Sequence, residues 1–299
     1  MTEITELCDR VLSCLQEINK EYSYLECKKA NGMVLHGFSL KQEMQDFSIS
    51  PVIYIESVNA YKNMQPSDTA QAIDRMMHEI SVSVHVDNFN IDCLEPSKVF
   101  YKVYSAEMNK DFIDNPLCKV DLGLAFIPYF LVSSDSCGIS SARITKELYD
   151  TCDSLHDLSF EAIKENTVQL FPAVQKSLSQ VLSSIFSGDA PDTELCAGKD
   201  IVINVYTNNV GVNGAASALF QKEMLDDFER GIMIPSSIHE FIAIGWDGTT
   251  EALCTAADML KEVNECAVEE DEILSYNILY FDRDKEIKRW ENGTSSKGH

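Results

Sequence analysis

Basic residues are scarce in this chain of 299 residues: 24 Lys and Arg stand against 48 Asp and Glu, a formal charge of −24. That balance argues against direct binding to a nucleic-acid backbone or an anionic membrane, since both reward a basic face. Long apolar runs are missing too. A membrane-spanning helix needs about 20 apolar residues, and the longest candidate, Leu122 to Val132, is shorter and broken by Pro128. Of the ten cysteines, none forms a C-x-x-C pair. The opening residues Met1 to Glu6 are acidic where a signal peptide would be basic and then apolar. The expectation is a cytoplasmic protein with free thiols. Cys8, Cys14, Cys254 and Cys266 are expected on apolar helix faces, and Cys137, in a polar loop beside Gly138, is expected to be the most reactive. No HExxH, G-x-S-x-G, G-x-G-x-x-G or Walker lysine occurs, and there is no internal repeat.

What is present is the composition of a folded protein, 45% hydrophobic with 14 Phe and 11 Tyr, too apolar for disorder. Leu7, Val11, Leu12, Leu15 and Ile18 recur at helical spacing, so a helix opens the chain. Asn31-Gly32 between two alternating runs marks a hairpin, and Val52 to Glu56 reads as a third strand beside it. A helix carrying Ala72, Ile73, Met76 and Met77 follows, then strands at Val99 to Tyr104 and Val120 to Phe126. Glu147 to Ser187 reads as helix-rich and interrupted by Pro172.

The most informative stretch runs from Ile201 to Gly245. Ile201 to Thr207 suits a buried strand, and Asn208, Asn209, Gly211, Asn213 and Gly214 form a loop. A helix is predicted over Ala215 to Arg230, then two short strands around the turn Pro235 to Glu240. With a helix after Thr249 and a strand at Asn277 to Asp282, the C-terminal part follows the βαββαβ order of the split βαβ unit. The fold class is therefore α+β, with mixed or antiparallel sheets. Residues 1–187 form an N-terminal part and 199–283 a C-terminal part, separated by a loop with Gly188, Pro191 and Gly198, or the two are one continuous domain. Residues 284–299 read as a frayed tail.

Two segments carry candidate chemistry. Ser236, Ser237, His239 and Glu240 share one turn, where a serine nucleophile, a histidine base and an orienting carboxylate could make a hydrolase. The bland reading is a turn stabilised by its own side chains. The loop of Asn208, Asn209, Gly211, Asn213 and Gly214 precedes a helix, whose free amides suit a small anionic ligand such as phosphate or carboxylate. Its bland reading is a tight connection capped by Asn213. His78-Glu79, His85 and His239 have no metal-like spacing, so no metal and no cofactor are expected. Glu269-Glu270-Asp271-Glu272, preceded by Asp258, Glu262 and Glu265, is a solvated face or an imitation of a nucleic-acid backbone.

Several stretches together resemble an uncharacterised bacterial family, a domain of unknown function seen in gut Firmicutes and near their mobile elements. They are Asn31-Gly32 with Leu35-His36-Gly37, Ile49 to Glu56, Glu165-Asn166-Thr167, Thr207-Asn208 with Gly214-Ala215-Ala216, and Pro235 to Glu240. The resemblance spans nearly the whole chain and implies a bacterial cytosolic protein without implying an activity. The reading is an acidic, non-catalytic binding or accessory protein linked to mobile elements, whose partner is a protein or a small anionic ligand. The alternatives are an acidic inhibitor that captures a basic partner by mimicking nucleic acid, and a hydrolase using Ser237, His239 and Glu240.

Overall fold

In a computed structural model, residues 3–40, 51–83, 94–135, 138–177, 180 and 202–291 are described. The chain divides into two compact units, residues 1–94 and 95–299. The loop expected to separate two parts, around residues 188–198, lies outside the described residues.

In the first unit, helix α1 (Glu3–Ile18) is followed by β1 (Tyr22–Lys28), β2 (Val34–Leu40), β3 (Ile53–Tyr54) and helix α2 (Pro66–Ser83). The strands form an antiparallel meander, as the alternation predicts. Asn31 and Gly32 both take positive φ, 57° and 78°, in the connection from β1 to β2. This is the backbone that Asn and Gly tolerate best. The expected strand to Glu56 stops at Tyr54, because Ile55–Ser57 turns into a short 3-10 segment that drives Ile55 into the core. That core is Cys8, Val11 and Leu15 of α1 and Ile73 and Met77 of α2 over Phe38 and Ile53 of the sheet. Tyr22 donates its hydroxyl proton to Asp74 at 2.8 Å, tying the sheet to α2.

The second unit opens with β4 (Val99–Ser105), β5 (Lys119–Asp121), β6 (Leu124–Asp135) and β7 (Gly138–Arg143), an antiparallel sheet in which β6 pairs with all three others. The strand expected over Val120 to Phe126 is thus a hairpin. Leu122 and Gly123, with φ of 54° and 80°, form its two-residue turn. Helices α3 (Lys146–Thr151) and α4 (Phe160–Leu170) come next, capped by Thr145 and Ser159, whose side chains accept N–H bonds from Leu148 and Ala162. After Pro172 the helical reading fails: Ala173–Ser177 is β8, paired with the following strand, β9 (Ile203–Asn208).

Helix α5 (Ala215–Phe220) is far shorter than the predicted run to Arg230. Gln221 leaves the helix, and its side-chain oxygen accepts the Ala173 N–H at 2.6 Å. The next residues, Lys222–Asp227, form a 3-10 segment. Carbonyls that a helix would consume are taken from outside, the Met224 oxygen by the Tyr206 hydroxyl and those of Leu225 and Phe228 by the Lys285 ammonium. The chain ends with β10 (Gly231–Ile234), β11 (Phe241–Gly245), helix α6 (Thr250–Cys266) capped by Thr249, β12 (Leu279–Phe281) and β13 (Ile287–Arg289).

These strands form an antiparallel six-stranded sheet in the order β13-β12-β10-β11-β9-β8. Strands β8 and β13 stand at the two edges of this sheet. Its pairing differs from the split βαβ unit, where the last strand lies beside the first: here β12 lies beside β10 and β9 beside β11. Residues 287–289, expected to fray, are held in the sheet by β12, and Trp290 donates its amide to Ile278 at 2.9 Å. Helix α6 buries Leu253, Ala256, Ala257 and Leu260 against Ile232, Ile234 and Ile278. Cys254 and Cys266 fall on its outer face and are exposed, contrary to the apolar-face expectation, because the buried stripe runs through 253, 256, 257, 260 and 264. Cys14 is half-buried, Cys8 is buried, and Cys137 lies outside the described residues.

Candidate functional site

Antiparallel pairing of β9 with β11 places the loop after β9 against the turn before β11, so the two segments singled out in the sequence meet. His239 joins them. Its Nδ1 accepts the amide proton of Asn213 at 3.0 Å, and its Nε2 lies 2.9 Å from Glu272 Oε1. A backbone N–H aimed at Nδ1 fixes that nitrogen as the acceptor, so the ring proton sits on Nε2 and is donated to Glu272. The His239 carbonyl is also used, accepting from the Thr207 hydroxyl at 2.9 Å and the Gly214 amide at 3.0 Å. Below the turn, Ile238 donates its amide to the Glu272 carbonyl and Ser237 bridges to Ile273.

Ser236 and Ser237 are both buried. Ser237 Oγ accepts the backbone N–H of His239 at 3.2 Å and is not hydrogen-bonded to the imidazole. The Glu240 side chain forms no hydrogen bond or ion pair with another described residue, and the carboxylate on His239 belongs to Glu272. The geometry therefore assembles a histidine and a carboxylate, but with no nucleophile on the histidine and no lone pair left on it.

The loop from Asn208 to Gly214 turns its amides inward. Val210 and Gly211 donate to the Asn208 side-chain oxygen at 3.1 and 2.7 Å, and the Asn208 amide group donates back to the Val212 carbonyl at 2.9 Å. Asn209 donates to the Pro172 carbonyl, while Ala215 donates to Ile238 at 3.3 Å. The amides of residues 209, 210, 211, 213, 214 and 215 thus all have partners within the fold. Gly214 is required by space: a Cβ there would lie 2.4 Å from the Asn208 nitrogen, 2.5 Å from Thr207 Oγ1 and 2.6 Å from the His239 carbonyl oxygen.

Other motif residues turn out to staple elements together. Asn166 donates to the carbonyls of Pro96 and Val99, and Thr167 Oγ1 accepts the Tyr101 amide at 2.9 Å while donating to Ile163, which locks α4 onto β4. In the first unit the His36 amide donates to both carboxylate oxygens of Glu56 at 3.2 Å, and His36 Nδ1 lies 2.6 Å from the Tyr24 hydroxyl. Burial, with the nearby Cys8 and Glu26, pushes the Tyr24 phenol up to about 12. Burial likewise pushes the Cys8 thiol, beside Glu56 and Asp9, up to about 11. His78 lies on α2 in the first unit, whereas His239 lies in the second, and His85 is outside the described residues. Among the described residues no group of three or more His, Cys, Asp and Glu could hold a metal ion, and no helix is long and apolar enough to cross a membrane.

Sequence reasoning missed Glu272 as the partner of His239. It stands in an acidic run, where nothing local separates it from Glu269 and Glu270. The family described as "Family of unknown function (DUF5688)" matches residues 4–283, so the chain belongs to that family. No curated protein and no solved structure matches it.

Proposed function

We propose that this member of the family works by binding a ligand or partner and does not turn one over. The observation that carries this reading is the state of His239. A general base needs a free lone pair within reach of the proton it removes. On His239 the only lone pair is held by the Asn213 amide and the only ring proton by Glu272. The serines beside it are buried and have no base. Among the described residues, Asn166, Thr167, Thr207 and Gly214 of the motifs that bear the resemblance join elements to each other, which is what a scaffold needs. A role near bacterial mobile elements, in the cytoplasm, belongs to the same proposal and rests on the resemblance of those motifs.

The test is turnover. Purified protein should leave p-nitrophenyl esters, p-nitrophenyl phosphate and a peptide substrate unchanged. Activity on any of them that disappears in His239→Ala would establish the hydrolase alternative instead.

A further inference from the structure

The six arginines of the chain are all described, and five have partners. Arg143 pairs with Asp114, Arg230 with Asp282 and Arg283 with Glu229, while Arg10 and Arg75 donate through Nε to helix carbonyls. Arg289 is the exception. Its Nε is buried without a hydrogen-bond partner, and it forms no ion pair with another described residue, in a chain where acids outnumber bases two to one. Arg289 as a whole is half-buried, but a buried N–H without a partner is unfavourable, and such an orphan in a folded protein calls for an explanation.

Arg289 lines a cavity of about 330 Å³ in the second unit. We propose that this cavity binds a small molecule through a single carboxylate held by Arg289. The proposal rests on the binding reading above and names a ligand class for it.

The site is built by the hairpin of β5 and β6, the segment after β4 and the segment before β12. Gly123 occupies the hairpin turn, and a Cβ there would fall 2.4 Å from an Arg289 terminal nitrogen, so the bare turn makes room for the guanidinium. The Gly123 carbonyl accepts the Ala106 amide at 3.0 Å, which fixes the turn against the segment after β4. Two further polar residues line the same cavity: Asn277, whose carboxamide makes no hydrogen bond to another described residue, and Ser105, whose hydroxyl accepts the Met108 amide. Tyr276, 53% exposed, adds an aromatic ring at the wall.

Charge selects among anions. Glu107 is exposed and lines the same cavity, so one positive and one negative group face the ligand. That lining suits a monoanion and repels a phosphate dianion or a nucleotide. A carboxylate matches the planar donor fork of arginine. The volume falls in the range of small-molecule sites, roughly 300–1,000 Å³, and the Tyr276 ring favours a ligand with a flat apolar body behind its carboxylate.

The experiment is a titration of the full-length ¹⁵N-labelled protein, following the Arg289 Nε–H signal and the Gly123 and Asn277 amides. Sodium benzoate should shift all three saturably, at lower concentration than acetate, and inorganic phosphate should be weakest. Glu107→Gln, a change at an exposed position, should tighten benzoate binding several-fold. Arg289→Lys should abolish saturation at Gly123 and Asn277 while the amide spectrum elsewhere stays folded. Shifts that remain linear in benzoate, that survive Arg289→Lys unchanged, or that report phosphate as the tighter ligand would overturn the proposal. So would a Glu107→Gln variant that binds benzoate no better. A failed titration removes this site and leaves the turnover test of His239 as it was. Turnover lost in His239→Ala removes the binding reading and leaves the titration standing.

Discussion

His239 Nε2 lies 2.9 Å from Glu272 Oε1 across 33 residues of sequence, and the same ring receives the Asn213 amide on its other nitrogen. One imidazole thus holds three segments at one end of the sheet.

The two bonds should differ in worth. The contact with Glu272 is a neutral imidazole N–H donated to a carboxylate, partly exposed, with side chains 26% and 37% accessible, and solvent screening leaves it about 0.5–1 kcal/mol. Removing the ring strands the Asn213 amide, which costs about 1–3 kcal/mol. Urea unfolding should therefore show His239→Ala clearly destabilised and Glu272→Gln only slightly. Long-range ¹H–¹⁵N spectra should report His239 as the Nε2–H tautomer. An Nδ1–H ring, or equal losses in the two variants, would contradict the assigned hydrogen bonds.

Gly214→Ala should be among the most damaging single changes in the second unit. The added methyl would meet two backbone groups and a hydroxyl at 2.4–2.6 Å, none of them able to swing aside as a long side chain could. Overpacking against backbone is expected to cost more than about 2 kcal/mol. Denaturation midpoints of Gly214→Ala and Gly211→Ala separate space from backbone angle. Gly211 has open space but a φ of 78°, so its alanine variant carries only the left-handed penalty of about 1–2 kcal/mol.

Thiol labelling should follow burial. Cys254 and Cys266 are exposed and should react quickly with a maleimide in the native protein, whereas Cys8 and Cys152 are buried and should wait for unfolding. Mass spectrometry of peptides from native and denatured samples reads this directly. Rapid native labelling of Cys8 would place α1 elsewhere.

The first unit should lose stability in alkali. The Cys8 thiol is raised from 9.0 to about 11 in the fold, so the folded state keeps a proton that the unfolded state gives up. Its contribution is fully present below about pH 9 and is lost as the pH rises to about 11, a change on the order of 2 kcal/mol. Tyr24, raised from 10.0 to about 12, extends the loss upward. Chemical denaturation at pH 8 and pH 10.5 should show the decline, and Cys8→Ala should flatten its lower part. A stability that rises over this interval would refute the burial of the thiol.

Local pattern was enough for much of the architecture. The spacing of Val11 and Leu15 placed α1, Asn31-Gly32 placed the first hairpin, Thr249 capped α6, and the α+β class followed from the alternation of such segments. These features depend on residues within a few positions of each other, where sterics and periodicity act alone. The sequence also singled out the loop at Asn208 to Gly214 and the turn at Ser236 to Glu240, because glycine, asparagine and clustered polar residues mark irregular backbone. It could not show that the two meet, that Glu272 completes His239, or that Arg289 lines a cavity with its buried Nε unpartnered. Those facts depend on strand pairing: β9 beside β11 brings residue 213 to residue 239, and β12 beside β13 carries Arg289 to the turn at Gly123. Helix α5 ends early for the same reason, since Tyr206, Ala173 and Lys285 bind backbone or side-chain oxygens that no local propensity can foresee. A hydrogen bond between distant residues is as strong as one between neighbours, but only the folded chain decides which distant groups come within 3 Å of each other.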